Sequence, residues 1–437
     1  MKIFVQYLNG HLIFLTVIMT GSVFMNPCLA ARTNYSLGIE ASYTDNSTLV
    51  ADDPIDDLIR SALLGFEFNE DSSIVQANVR SLAQYRDYRE DSFSDEVLLY
   101  LSLDSTFTLR PSSFFWKFED YFSQQQLDNL TPGTPDNLIN TNVFSTGPDF
   151  FFRISSSDSL YVGSRINDYN FENEDVNNSR LILSLAYIAG ISSSVDMSLN
   201  AQYQDATYDT LEVADFLRQD LFLRFDSRPS RSQFVLDLGL SYIDRDETLE
   251  DVDGYLARLL WHNQFREYSY FRLNALSQYT DSSLNLLSSG AQTIQFDRAG
   301  SQINGDIFKE QRIEAMYHFA TSSSSYNVQA RFSEEDYEVL PQDRLSRGAN
   351  FNYTHILSRT TNLTAYLRYQ KYVYRDVEQR DTQRVGGLSL NYRLSRKYTF
   401  RFEYTLNSQD SNVQIAQYDE NRIFISFFYG LDPGTYR

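Results

Sequence analysis

The sequence is poor in the residues that thiol and metal chemistry need. It contains one cysteine, Cys28, and 4 histidines. Cys28 falls in an apolar N-terminal segment that reads as an export signal. The mature chain is therefore expected to have no disulfide framework, thiolate nucleophile or zinc–thiolate cluster. Past that segment the histidines are His262, His318 and His355, too far apart in sequence for the i, i+2 or i, i+4 spacing of a metal pair. No Gly-x-Ser-x-Gly elbow, Walker loop or nucleotide-binding glycine triplet occurs, so neither a cofactor nor an enzymatic site is expected.

Basic residues are also in deficit. There are 37 Lys and Arg against 58 Asp and Glu, a net charge of −21. A nucleic-acid backbone would be repelled, and docking on an anionic leaflet through basic groups is excluded on the same ground. Arg greatly outnumbers Lys, which suits fixed, multidentate pairing with carboxylates.

Long apolar runs are missing as well. Hydrophobic residues make up 42% of the chain. After residue 31 no stretch of about 18 or more apolar residues occurs, so no membrane-spanning helix is expected. Before it, Lys2, an apolar stretch from about Leu12 to Met25, the helix-breaking Pro27 and the small residues Cys28 and Ala30 form the three regions of a secretory signal. Residues 1–30 are expected to be removed and 31–437 to form one unit.

What is abundant is Tyr and Phe, 31 and 32 residues against 2 Trp. They sit in a period-two pattern that starts at Tyr35. Tyr35, Leu37, Ile39, Ala41 and Tyr43 alternate with Ser36, Gly38, Glu40 and Ser42. Successive side chains of a strand point to opposite faces, so the pattern predicts sheet with one apolar and one polar side. It recurs clearly at 75–86, 195–203, 271–279, 326–333 and 398–406. The segments run about 10 to 14 residues, the length a tilted strand needs to cross a bilayer. Tyr43, Tyr85, Tyr203, Tyr242, Tyr279 and Tyr404 lie at the ends of apolar faces, where a membrane barrel places rings at the lipid–water boundary.

Connections alternate between short and long. Short ones rich in Ser, Asn and Gly fall near 69–73, 155–158, 190–194, 227–232, 321–325, 358–361 and 394–397. Longer, mostly acidic ones fall near 44–57, 87–95, 124–145, 167–179, 204–217, 243–254, 280–306, 334–344, 371–383 and 407–420. Short periplasmic turns and long outer loops are the rhythm of an outer-membrane barrel. The predicted fold is all-β: a transmembrane, antiparallel, up-and-down β-barrel of about 20 strands, with both termini periplasmic. Merging the weakest pair, near 96–124, gives about 18. A soluble double sandwich is the competing fold.

On the lipid side of such a wall a charge costs about 2–4 kcal/mol at midplane. Arg80, Arg165, Arg224, Arg272, Arg331, Arg368 and Arg401, with Glu40, Glu67, Asp196, Asp237 and Glu403, are therefore expected to face inward and line a pore. They could stiffen the wall as Arg–carboxylate pairs, or form a hydrated mixed-charge track. Charged rings in a pore also set ion selectivity. The acidic runs Asp244–Asp253 and Glu334–Glu338 offer oxygen ligands. They lack the spacing and glycine of a dedicated calcium loop, which leaves lipopolysaccharide bridging through divalent cations as their reading. Segments 280–306 and 124–145 are candidate plugs or gates.

Two patches carry a family resemblance. One is Arg384-Val-Gly-Gly-Leu-Ser-Leu-Asn-Tyr392-Arg-Leu-Ser-Arg396, followed by Phe402-Glu-Tyr404, Ser411-Asn412 and Tyr418-Asp-Glu-Asn421-Arg-Ile423. The other runs from Asn142 through Thr146-Gly147-Pro148 into Phe150–Ile154. They resemble the outer-membrane β-barrel porins encoded with exopolysaccharide and exosortase (PEP-CTERM) gene clusters of Gram-negative bacteria. The resemblance implies a non-enzymatic porin that serves export or assembly of an extracellular polysaccharide. Its implied partners are outer-membrane lipid, lipopolysaccharide, the polysaccharide and a periplasmic export protein. A general or solute-specific diffusion porin, and a surface-structural protein or adhesin, are the alternatives. The chain departs from the usual terminal aromatic of outer-membrane barrels, which leaves Phe427 or Tyr429 as the insertion signal.

Overall fold

The computed structural model describes residues 31–172, 176–210, 214–245, 248–284 and 304–430. The expected signal segment 1–30 lies outside the described residues. Twenty strands follow one another along the chain. The first five are β1 (Arg32–Thr44), β2 (Asp57–Asp71), β3 (Val75–Tyr88), β4 (Glu96–Arg110) and β5 (Phe114–Gln126). Then come β6 (Leu138–Arg153), β7 (Asp158–Phe171), β8 (Asn178–Ser192), β9 (Val195–Tyr208) and β10 (Phe216–Ser227). They continue as β11 (Ser232–Arg245), β12 (Val252–Arg266), β13 (Ser269–Asp281), β14 (Ile307–Ala320) and β15 (Ser324–Tyr337). The last are β16 (Arg344–Ile356), β17 (Thr361–Tyr374), β18 (Gln379–Arg393), β19 (Tyr398–Ser411) and β20 (Tyr418–Gly430).

Each strand pairs antiparallel with the next, from β1 with β2 to β19 with β20. β20 then returns to β1, from Ser36 opposite Gly430 to Thr44 opposite Arg422. The sheet closes and no edge is left open, which is how a sheet satisfies its backbone in lipid.

Alternation in the sequence decides which way each side chain points. On β1, Tyr35, Leu37 and Ile39 are 61%, 55% and 65% exposed on the outside, while Ser36, Glu40, Ser42 and Thr44 are buried on the inside. Register carries the stripe onward: Leu37 lies opposite Leu64, and Leu64 opposite Ala83. On β8, Leu181, Leu183, Leu185 and Tyr187 continue it, and on β10 Leu221, Leu223 and Phe225. An apolar exterior around a closed wall is the arrangement lipid requires. In a sandwich those stripes would be packed against each other.

The region 96–124 forms two strands, β4 and β5, so the twenty-strand reading holds and the merged alternative does not. The alternation is weak there because β5 is aromatic on both faces and carries Asp120 outward. The strands run longer than expected, and the outer connections are correspondingly shorter. Expected loop 124–145 contracts to 127–137, and 371–383 contracts to 375–378, no longer than many of the opposite turns.

The inward face is less uniformly polar than the pattern implied. Leu63, Leu82, Leu98, Tyr100 and Phe428 form a buried apolar cluster on the inner side of β2, β3, β4 and β20. Phe428 lies flat over Gly38, where a Cβ would stand 2.5 Å from its ring. Elsewhere the wall bows inward. A groove of about 980 Å³ runs along the outer face from Phe150 on β6 to Lys309 on β14.

Candidate functional site

All the candidate pore-lining residues share the inward register. Several pair across neighbouring strands. Arg224 on β10 binds Asp237 on β11 through Nε and Nη2 at 2.7 and 2.8 Å. Arg165 on β7 holds both oxygens of Asp149 on β6 at 2.9 and 2.7 Å. Arg80 stands 3.8 Å from Glu67. Bidentate geometry of this kind fixes side chains against the wall. In these pairs the carboxylates are sheltered and the cations reach further out: Arg80 and Arg224 are 46% and 41% exposed, against 18% and 3% for their partners.

The remaining candidates have other neighbours. Asp196 lies opposite Asp226, whose carboxylate binds Arg228. Glu40 accepts a bond from Ser426 at 3.1 Å. Glu403 on β19 accepts one from the Tyr366 hydroxyl of β17 at 2.9 Å, across the intervening β18. Gly387 on β18 makes that reach possible, since a Cβ there would stand 2.3 Å from the Tyr366 ring. Arg401 donates to Asn391 at 2.8 Å and lies over Phe428. Arg331 lies opposite Glu314, Arg272 opposite His262, and Arg368 opposite Asn350. The twelve do not converge on one point. They are spread around the barrel.

The strongest constellation involves residues the sequence did not single out. Arg180 at the outer end of β8 meets Asp281 at the end of β13, with Nη1 and Nη2 each 2.8 Å from a carboxylate oxygen. The side chains are 0% and 1% exposed. The guanidinium also lies over Tyr169 at 4.9 Å and Phe216 at 5.6 Å, and its Nε donates to Asn178 at 2.7 Å. A buried pair of this kind persists only where hydrogen bonds satisfy its remaining groups, as they do here. Arg180 follows the inward parity of β8 and was legible as inward. Its burial depends on a strand far away in sequence, which no local signal records.

The two candidate plugs or gates are described to different extents. In segment 280–306, residues 285–303 lie outside the described residues, but both ends are buried and tied down. Ser283 accepts from Asn178 of β8 at 3.1 Å, Asn304 accepts from Ser282 at 2.8 Å, and Asp306 binds Arg245 at 3.4 Å. The other candidate contracts to loop 127–137, organised by Asn137 and Asp128. It reaches the far wall, where the Tyr374 hydroxyl donates to the Asn129 carbonyl at 2.9 Å and Gln379 to the Leu130 carbonyl at 2.8 Å.

The histidines do not gather. His262 and His318 flank Tyr270 on the inner face at ring distances of 5.2 and 5.0 Å, and His355 bonds Ser324. Among the described residues no group of three or more His, Cys, Asp or Glu could hold a metal.

Residues 340–428, which span β16 to most of β20, match the family described as "Putative beta-barrel porin 2". The chain is a porin-like outer-membrane β-barrel. Its outer face meets lipid and lipopolysaccharide, and the matched family is one of channels rather than enzymes. No curated protein matches the chain. Among solved structures it is similar to the siderophore receptor PirA from Pseudomonas aeruginosa, at 11% identity over 92% of this chain and 80% of that one, with a TM-score of 0.46. It is also similar to a BenF-like porin from Pseudomonas fluorescens, at 9% identity over 92% and 99%, with a TM-score of 0.39.

Proposed function

We propose that this porin passes small polar solutes through a narrow lumen of mixed charge, with both termini in the periplasm and residues 1–30 removed on export. One observation carries the reading: the outer half of the lumen is bridged. Arg180 of β8 joins Asp281 of β13, and loop 127–137 is bonded to Tyr374 and Gln379 on the far wall. Inward Arg–carboxylate pairs supply hydrogen-bonding groups of both signs, which favours neutral or zwitterionic polar solutes over strong selection for one ion. Liposome swelling with sugars of increasing size tests it. Permeation is expected to fall off beyond small sugars, and unhindered passage of long oligosaccharides would overturn it.

Export of an extracellular polysaccharide, with a periplasmic export partner, is the second reading and rests on the sequence patches 384–396 and 142–154. It requires loop 127–137 to leave the lumen. The two bonds that hold the loop are worth about 1 kcal/mol each, weak enough to release. A deletion strain that secretes normal polymer would count against this reading and leave the first intact.

A further inference from the structure

Charged side chains occur all round the outward face and its outer rim, and the arginines among them are mostly matched by carboxylates. Arg60 pairs with Asp87, Arg375 with Glu334 and Asp336, and Arg384 with Asp410. Arg347 on β16 and Lys371 on β17 break that rule. They lie directly opposite each other on the outward face, three residues from the outer ends of their strands. Their other cross-strand neighbours are Phe332 and Thr382, and neither cation has an ion-pair partner among the described residues. Among the described residues no second outward pair of like charge stands directly opposite. Like charges in that position repel, and an anion held between them turns the repulsion into attraction. Arg384 on β18, diagonal to Lys371, brings a third cation to the same corner.

Directly below these cations the outer face is hollowed. A groove of about 780 Å³ runs from Val328 on β15 to Asn421 on β20, with Arg384 at its upper edge. Its floor lies where the outward residues are smallest, at Ala349 and Gly386, and Phe351, Leu367 and Leu406 form its sides. The larger groove over β6 to β14 has no such cap. Its Lys309 stands directly opposite Asp336, and Asp253 also lines it. Unopposed cations above an apolar groove fit an amphiphile with an anionic head, where a free ion would leave the groove unused. We infer that the outer face of β16–β18 is a discrete lipopolysaccharide site, in which Arg347 and Lys371 together hold a phosphate of the lipid A head and an acyl chain lies over Gly386. Arginine offers phosphate a bidentate fork and lysine a point charge. Asp419, exposed across the groove, offers an acceptor to sugar hydroxyls. The assignment rests on the orientation proposed above, with both termini in the periplasm, which puts this end of the strands in the outer leaflet.

The experiment uses the full chain, extracted from outer membranes in mild detergent, stripped of lipid and titrated with lipid A or with phosphatidylglycerol. Native mass spectrometry counts the bound lipid. The parent is expected to take up lipid A in preference to phosphatidylglycerol. Arg347→Gln/Lys371→Gln should weaken lipid A binding by about tenfold or more, the loss of at least one charge-assisted hydrogen bond. Gly386→Leu should weaken it as well by filling the groove. A Cβ there first meets the exposed Leu367 side chain, at 3.3 Å, which can swing aside. Arg60→Gln, at an outward arginine on the distant β2, should bind as the parent does. Equal lipid A binding by the parent and the double variant overturns the site. A preference for phosphatidylglycerol that the double variant loses overturns the lipopolysaccharide assignment and the orientation with it, while liposome swelling judges the solute reading separately. If the double variant fails to fold, Lys371→Gln alone replaces it, with the same direction of change.

Discussion

Arg180 and Asp281, separated by most of four intervening strands of wall, form a doubly hydrogen-bonded ion pair that is closed off from water. The pair draws the outer end of β13 toward β8 and anchors the foot of the 282–306 connection. A wall that carries such a cross-brace cannot be a uniform cylinder, and the inward bow of β6 to β14 follows from it.

Breaking the brace from one side is expected to be costly. Arg180→Ala strands the Asp281 carboxylate, at about 3–5 kcal/mol. Arg180→Leu/Asp281→Leu should recover most of that loss. Single-channel conductance is expected to rise in both, because the bridge between β8 and β13 is opened. Unchanged conductance would separate the brace from the permeation path.

The loop contact gives a second test. Tyr374→Phe and Gln379→Ala each remove one bond to loop 127–137, at about 1 kcal/mol each. Together they should enlarge the solute size limit in liposome swelling, and shortening the loop within 128–136 should enlarge it further.

Gly387 tests the inner wall. Gly387→Val is expected to lower folded yield and to cost about 1–3 kcal/mol by crowding the Tyr366 ring. Adding Tyr366→Ala should rescue it. Rescue shows that the ring, and not the strand backbone, is what requires glycine.

Lumen charge can be read electrically. Arg80 and Arg224 are the half-exposed members of their pairs. Arg80→Gln/Arg224→Gln removes two positive charges and leaves Glu67 and Asp237 in place, so the reversal potential in a salt gradient should shift toward cation selectivity.

Much of this is legible in the sequence alone. The strand faces followed from alternation because a one-residue slip would turn every apolar side chain inward. Arg224 and Asp237 could be placed inward from period two alone. What could not be read was reach. Arg180 finds Asp281, and Tyr374 finds Asn129, only because the closed wall curves back on itself, and the spacing of local residues contains no trace of that curvature. The loops were overestimated for a related reason. Polar residues such as Asn140 and Arg380 lie on strands that run past the apolar belt, where alternation no longer needs oil on one side. The weak pattern at β5 reflects aromatic residues on both faces and the outward Asp120.

Along each strand the side chains alternate between lipid and lumen. Spin labels placed one at a time from 196 to 203 on β9, in lipid vesicles, test it directly. Positions 197, 199, 201 and 203 should be relaxed by oxygen dissolved in the bilayer, and positions 196, 198, 200 and 202 by a water-soluble nickel complex, in antiphase. Two profiles that rise and fall together, or odd positions shielded from oxygen, would contradict it.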